Sequence, residues 1–185
     1  MKQKILIIGI VTAFLAIISI SCAEKAAMEL TDDEVFELYA KAREAYGWFD
    51  LTTIPHDSEK YIEVDGEKYF EVVQPGITSK KALADYLNEL FTEDITESLM
   101  SGSSNRYVER QGKLYVLPAD RGTDIFKGEE SYELVRVSNN QIKFTVTVEI
   151  YDDPEQKNVA GYEEYDFFLE FLDNGWRFIN FELVR

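Results

Sequence analysis

One histidine, one cysteine and 35 acidic side chains are the raw material for chemistry in this 185-residue chain. His56 stands alone in a polar stretch after Pro55, and Cys22 lies close to the start. Zinc sites draw on clustered histidine and cysteine, so that chemistry is excluded. No Gly-x-Ser-x-Gly or Ser-x-x-Lys arrangement offers an activated nucleophile, and there is no phosphate loop or dinucleotide fingerprint. Carboxylates remain. Pairs of them serve glycoside hydrolases, but among 35 acids such pairs are inevitable and none is singled out. An Asp base beside a Tyr in an apolar pocket, as isomerases use, is equally unspecified. Asp152, Asp153 and Glu155 make a dense acidic turn without the ligand spacing of an EF-hand, and they read as surface. The expectation is a protein with no catalytic residue, no metal site and no cofactor.

The stretch PADRGTDIFKGEE at 118–130 is the strongest candidate for contact with something else. It has neither helical nor strand periodicity. Pro118 opens it, Gly122 and Gly128 break it, and charged residues surround the apolar pair Ile125 and Phe126. Long ordered loops are uncommon in compact domains and are often functional. Gly122 permits a tight bend, which would present Asp120, Arg121, Asp124, Ile125 and Phe126 to a partner, with Phe126 as the buried anchor. The plainer alternative is a strand connection in which Asp120 and Arg121 cap the loop internally.

The start of the chain has the layout of an export signal: Lys2 and Lys4, an apolar run over 5–20, then small residues at 21–23. A membrane span needs about 20 apolar residues, which this run does not reach. Ser19-Ile20-Ser21-Cys22 resembles a lipobox, with Ser19 where Leu is usual, so Cys22 is the expected site of lipidation. Cleavage after Ala23, at a small-x-small site, is the alternative. The expected organisation is a signal over 1–22, a tether over 23–30 and one domain over 31–185. Without further cysteines no disulfide forms within the chain, and the hydrophobic core alone must hold the fold.

Loss of Lys2 and Lys4 takes the formal charge from −16 to −18. Such acidity disfavours nucleic acid and the anionic polymers of a cell wall, and favours a basic partner. A simply solvated acidic surface would have the same composition.

The elements that must position these residues follow from periodicity. Thr31 with Glu34 forms a capping box ahead of Val35, Tyr39, Ala42 and Tyr46 at helical spacing, and Gly47 supplies a stop. Residues 48–58 read as irregular. Strands over 60–64 and 67–73 flank the hairpin turn Asp65-Gly66. A helix capped by Thr78 or Ser79 carries Leu83, Leu87, Leu90 and Phe91, and Thr92 caps a short third one. A hairpin over 106–110 and 113–117 turns at Gln111-Gly112. Beyond the loop, strands at 132–137, 142–150, 162–172 and 176–184 form a meander. Ile142, Phe144, Val146, Val148 and Ile150 share one face of it, and in the next strand Tyr165, Phe167, Leu169 and Phe171 share a face. An antiparallel sheet with one apolar face needs a cover. The fold class is therefore α+β, of the cystatin-like or nuclear-transport-factor-like type: a curved antiparallel sheet packed on an N-terminal helix and a further helical hairpin.

The stretches AYGWFDLTTIP at 45–55 and PADRGTD at 118–124, with Pro75-Gly76-Ile77 and the closing NFELVR at 180–185, resemble the IseA family of DL-endopeptidase inhibitors. The resemblance runs from about residue 31 to the end. It implies an exported protein of a Gram-positive cell with a cystatin-like core; a monomer is expected. It also implies a non-enzymatic inhibitor whose partner is a peptidoglycan DL-endopeptidase of the NlpC type, an autolysin with a cysteine and histidine in its site. The residues themselves leave two alternatives: a small-molecule-binding or isomerase-like cone, and a structural envelope lipoprotein. A lipid on Cys22 would hold the protein at the membrane instead of releasing it to the wall. Metabolic labelling with a fatty acid should mark the wild-type chain and not Cys22→Ser; unlabelled wild-type protein in the medium would exclude the anchor.

Overall fold

The computed structural model describes residues 29–103, 105–173 and 175–185; Cys22, the signal and most of the tether lie outside them. Three helices and eight strands follow one another as α1 (Asp32–Gly47), β1 (His56–Val64), β2 (Glu67–Val72), α2 (Lys80–Leu90), α3 (Glu93–Gly102), β3 (Tyr107–Arg110), β4 (Lys113–Val116), β5 (Lys127–Ser138), β6 (Gln141–Tyr151), β7 (Val159–Leu172) and β8 (Gly175–Phe178). The fold is α+β. Its eight strands divide between two antiparallel four-stranded sheets, ordered β1-β2-β4-β3 and β5-β6-β7-β8, where periodicity suggested one curved sheet. Residues 117–126, which carry Pro118 and Gly122 and join no ladder, take the chain from the first sheet to the second. Helix α2 contacts β3 of one sheet and β8 of the other.

Local chemistry explains the helix starts. Thr31 Oγ1 accepts from Glu34 N at 3.3 Å while the Glu34 carboxylate accepts from Thr31 N at 2.8 Å, completing the capping box. The Thr31 N–H and hydroxyl, both donating to it, hold the Glu34 carboxyl below the usual carboxylate range. Ser79 caps α2 by accepting from Ala82 N at 3.0 Å. The turns at Asp65-Gly66 and Gln111-Gly112 place both residues at positive φ, the conformation that matches the twist of a two-residue hairpin.

Four strands differ clearly from the periodicity reading, β7 by beginning at Val159 rather than 162. β1 begins at His56 rather than 60, because a bulge between Asp57 and Tyr61 lets the polar residues 56–57 pair with Val72 and Glu71. β5 begins at Lys127, so the expected long loop ends at Phe126. β8 ends at Phe178, short of 184. After it, Ile179 N donates to Phe168 O at 2.9 Å, and the Asn180 side-chain amide bonds Phe168 N and Asp166 O. A side chain thus replaces one ladder step, which frees the backbone to turn inward.

That turn lays Phe181 against the aromatic core. Its ring packs on Tyr39 and Tyr46 of α1, on Phe91, and on Phe167 and Phe178 of the second sheet, with centroids 4.8–6.0 Å apart. Tyr39 in turn meets Phe144 and Phe167. Rings therefore fill the space between α1 and the apolar face of β6 and β7. Removing the ring by Phe181→Ala should cost about 3 kcal/mol, the lower end of the range for core phenylalanines, because Phe181 is half-buried. Urea unfolding with an unchanged m-value checks this.

Candidate functional site

The loop over 117–126 is tied down at its upstream end. Arg106, just before β3, donates from Nη2 to Thr52 O and Ala119 O, both at 2.6 Å, and from Nη1 to Phe49 O at 3.3 Å. Thr53 Oγ1 donates to Asp120 Oδ1 at 3.0 Å and accepts from Ala119 N at 3.1 Å. Arg121 Nε lies 2.9 Å from Asp50 Oδ2. The segment that follows α1 is itself fixed, since Gly47 O accepts from Leu51 N and Thr52 N, and Trp48 is buried and stacked on Tyr86. The two stretches at 45–55 and 118–124 therefore form one structural unit. Asp120 and Arg121 are bonded within it.

The tip has a different character. Gly122 has φ +77, and no atom lies within 4 Å of where a Cβ would sit, so the backbone conformation alone calls for glycine. Asp124 Oδ1 accepts from Phe126 N at 2.9 Å, a one-residue turn that holds Ile125 outward. Ile125 and Phe126 are 55% and 42% exposed. The structure thus gathers Asp124, Ile125 and Phe126 at an exposed tip and turns Asp120 and Arg121 towards the root.

The downstream end is held by the second sheet. Phe126 O accepts from Tyr151 N at 2.8 Å, and Gln156 Nε2 donates to Ile125 O at 2.8 Å. Lys127 Nζ donates to Val184 O at 2.7 Å and lies 3.0 Å from Glu163 Oε2. The Glu130 side chain, only 3% exposed, lies between Arg43 of α1 at 3.1 Å and Arg185 of the tail at 2.9 Å, and also accepts from Tyr132 OH at 2.8 Å. Gly128 is buried under the Tyr151 ring, which a Cβ would strike at 2.2 Å. Between the tip, the start of β5 and the 151–156 turn lies an open, largely polar cleft of about 650 Å³.

The remaining chemical candidates take ordinary places. His56 Nδ1 is 3.0 Å from Ile54 O, and its ring packs on Phe70 in the first sheet. Asp153 accepts from Glu155 N and Lys157 N, closing the acidic turn on its own backbone. Among the described residues no three His, Cys, Asp or Glu side chains gather as a metal site. Sequence reasoning did not single out Gln156 or Tyr151. Gln156 has φ +52, which no sequence pattern marks. Tyr151 continues the outward alternation of Thr147 and Glu149, a signal that was available.

The root and the exposed pair respond differently to substitution. Arg106→Ala should cost about 1.5–3 kcal/mol, since it removes charged donors from three carbonyls. Arg121→Ala should change stability by less than about 0.5 kcal/mol, because its pair with Asp50 is solvated. Chemical denaturation of the two variants checks the contrast.

The model of one family, described as IseA DL-endopeptidase inhibitor, matches residues 26–182. No individual curated protein matches the chain. The family match spans both sheets and all three helices, and it includes the fixed root and the exposed tip of the loop. The chain belongs to the IseA family of DL-endopeptidase inhibitors.

Proposed function

We propose that this chain is an exported, non-enzymatic, monomeric inhibitor that closes the catalytic cleft of an NlpC-type DL-endopeptidase, an autolysin of a Gram-positive cell wall. The observation that carries the reading is the loop over 117–126, rigid at both ends and exposed at an apolar tip. A contact element of this design loses little conformational freedom on binding, which favours affinity. Binding energy concentrates in a few buried anchors, and Phe126 with Ile125 supplies them. Asp124 meets the basic lining that a hydrolase of carboxylate-bearing wall peptides requires. The formal charge of −18 left once Lys2 and Lys4 are removed from −16 steers the encounter, so association should be faster at low salt. Lipidation at Cys22 would place the inhibitor at the outer face of the membrane, within reach of newly exported hydrolases; cleavage after Ala23 would release it to the wall.

The double variant Asp124→Ala, Phe126→Ala should raise the inhibition constant against such an endopeptidase well over tenfold, which corresponds to more than about 1.4 kcal/mol. Its melting temperature should hardly move, because both side chains are exposed. A sharply lowered melting temperature with normal inhibition by the folded fraction would make the loop scaffold.

A further inference from the structure

We propose that the surface gripping the endopeptidase extends from the loop onto the outer face of the second sheet, as a strip formed by Phe126, Tyr151, Val159 and Tyr162. The proposal rests on the inhibitor reading above and names a second part of the same interface. Its partner is a patch on the enzyme with an apolar centre and a basic rim.

The register of the sheet puts these side chains together. Glu149 pairs with Tyr162 and, beyond a bulge between Ile150 and Tyr151, Tyr151 pairs with Val159; directly opposed residues share a face. Glu149 and Tyr151 are two apart on β6 and point the same way, as the 2.6 Å bond from Tyr151 OH to Glu149 Oε2 requires. Phe126 extends the row through its carbonyl, which accepts from Tyr151 N. Lys127, the next residue, sends its ammonium the other way, to Tyr165 and Val184. Gly128 completes the surface by leaving room for the Tyr151 ring.

Exposure separates this strip from ordinary surface. Single exposed apolar residues need no explanation, whereas a contiguous apolar patch with a polar rim marks an interaction site. Ile125, Phe126, Val159 and Tyr162 all lie at this end of the sheet, and Tyr162 is 66% exposed, more than any other large hydrophobic residue among those described. The rim is acidic: Glu129, Asp152 and Glu164 are exposed around it. The nearby cations are already engaged, Lys127 by Glu163 and Lys157 by Glu155. Apolar anchors inside an acidic rim fit a partner surface of opposite charge, and aromatic residues are the usual anchors of such interfaces.

The test uses the mature protein and a recombinant NlpC-type DL-endopeptidase. Tyr162→Ala should raise the inhibition constant at least tenfold without a change in melting temperature, and Tyr162→Phe should restore most of the inhibition. Val135→Ala, exposed on the same face but at the far end of β5, should inhibit like the wild type. Normal inhibition by Tyr162→Ala, while the Asp124 and Phe126 double variant is impaired, overturns the strip and leaves the loop reading standing. An equal loss in Val135→Ala overturns the assignment to this end of the sheet. Wild-type protein that inhibits no such enzyme removes both readings.

Discussion

The carboxylate of Glu130 joins the three parts of the molecule that must agree for the loop to have a fixed shape. A carboxylate taken out of water is costly unless charge and hydrogen bonds compensate. Here Arg43 from α1, Arg185 from the tail and the Tyr132 hydroxyl do so together. Arg43 stands one turn after Tyr39, whose ring lies against Phe144 and Phe167, so the ion pair and the aromatic core fix the same helix on the same sheet. Arg185 also donates to Gly128 O at 2.9 Å. The start of β5, immediately downstream of the loop, is therefore immobilised from two sides.

Arg106 plays the matching part upstream. Backbone carbonyls that leave a helix end or a strand end need donors, and a guanidinium offers several in a fixed plane. One Arg106 side chain bonds carbonyls from the segment after α1 and from the loop itself. With both ends anchored, only Gly122, Thr123 and Asp124 make no bond to the body, and Asp124 shapes the tip through its turn. A rigid support with a short apolar tip supports the proposed reading, in which the loop occludes a partner's cleft.

The same anchoring links the loop to the second sheet. Gln156, Tyr151 and Gly128 hold residues 125–128 as though the loop were a fifth element of that sheet. The surface available to a partner is thus set by three chain segments far apart in sequence. Its acidity follows from composition, but its apolar strip follows from register: a one-residue slip of β7 against β6 would send Tyr162 to the opposite face.

Much of this protein was legible in the order of its residues. The capping box at Thr31 and Glu34, the Ser79 cap, and the turns at Asp65-Gly66 and Gln111-Gly112 depend on contacts within a few residues, so short patterns specify them. The alternation of β6 likewise marked its core face. The loop at 118–130 stood out because proline, glycine and mixed charge break every period. What the order of residues could not settle was which distant segments meet. The start of β5 and the inward turn of the tail depend on Glu130 finding Arg43 and Arg185, and on Asn180 taking a backbone's place. The pairing of 45–55 with 118–124, and the row from Phe126 to Val159, depend likewise on long-range partners. Local propensity is written in neighbouring residues, whereas burial and pairing across the fold are energies of the assembled whole, and only the tertiary structure decided them.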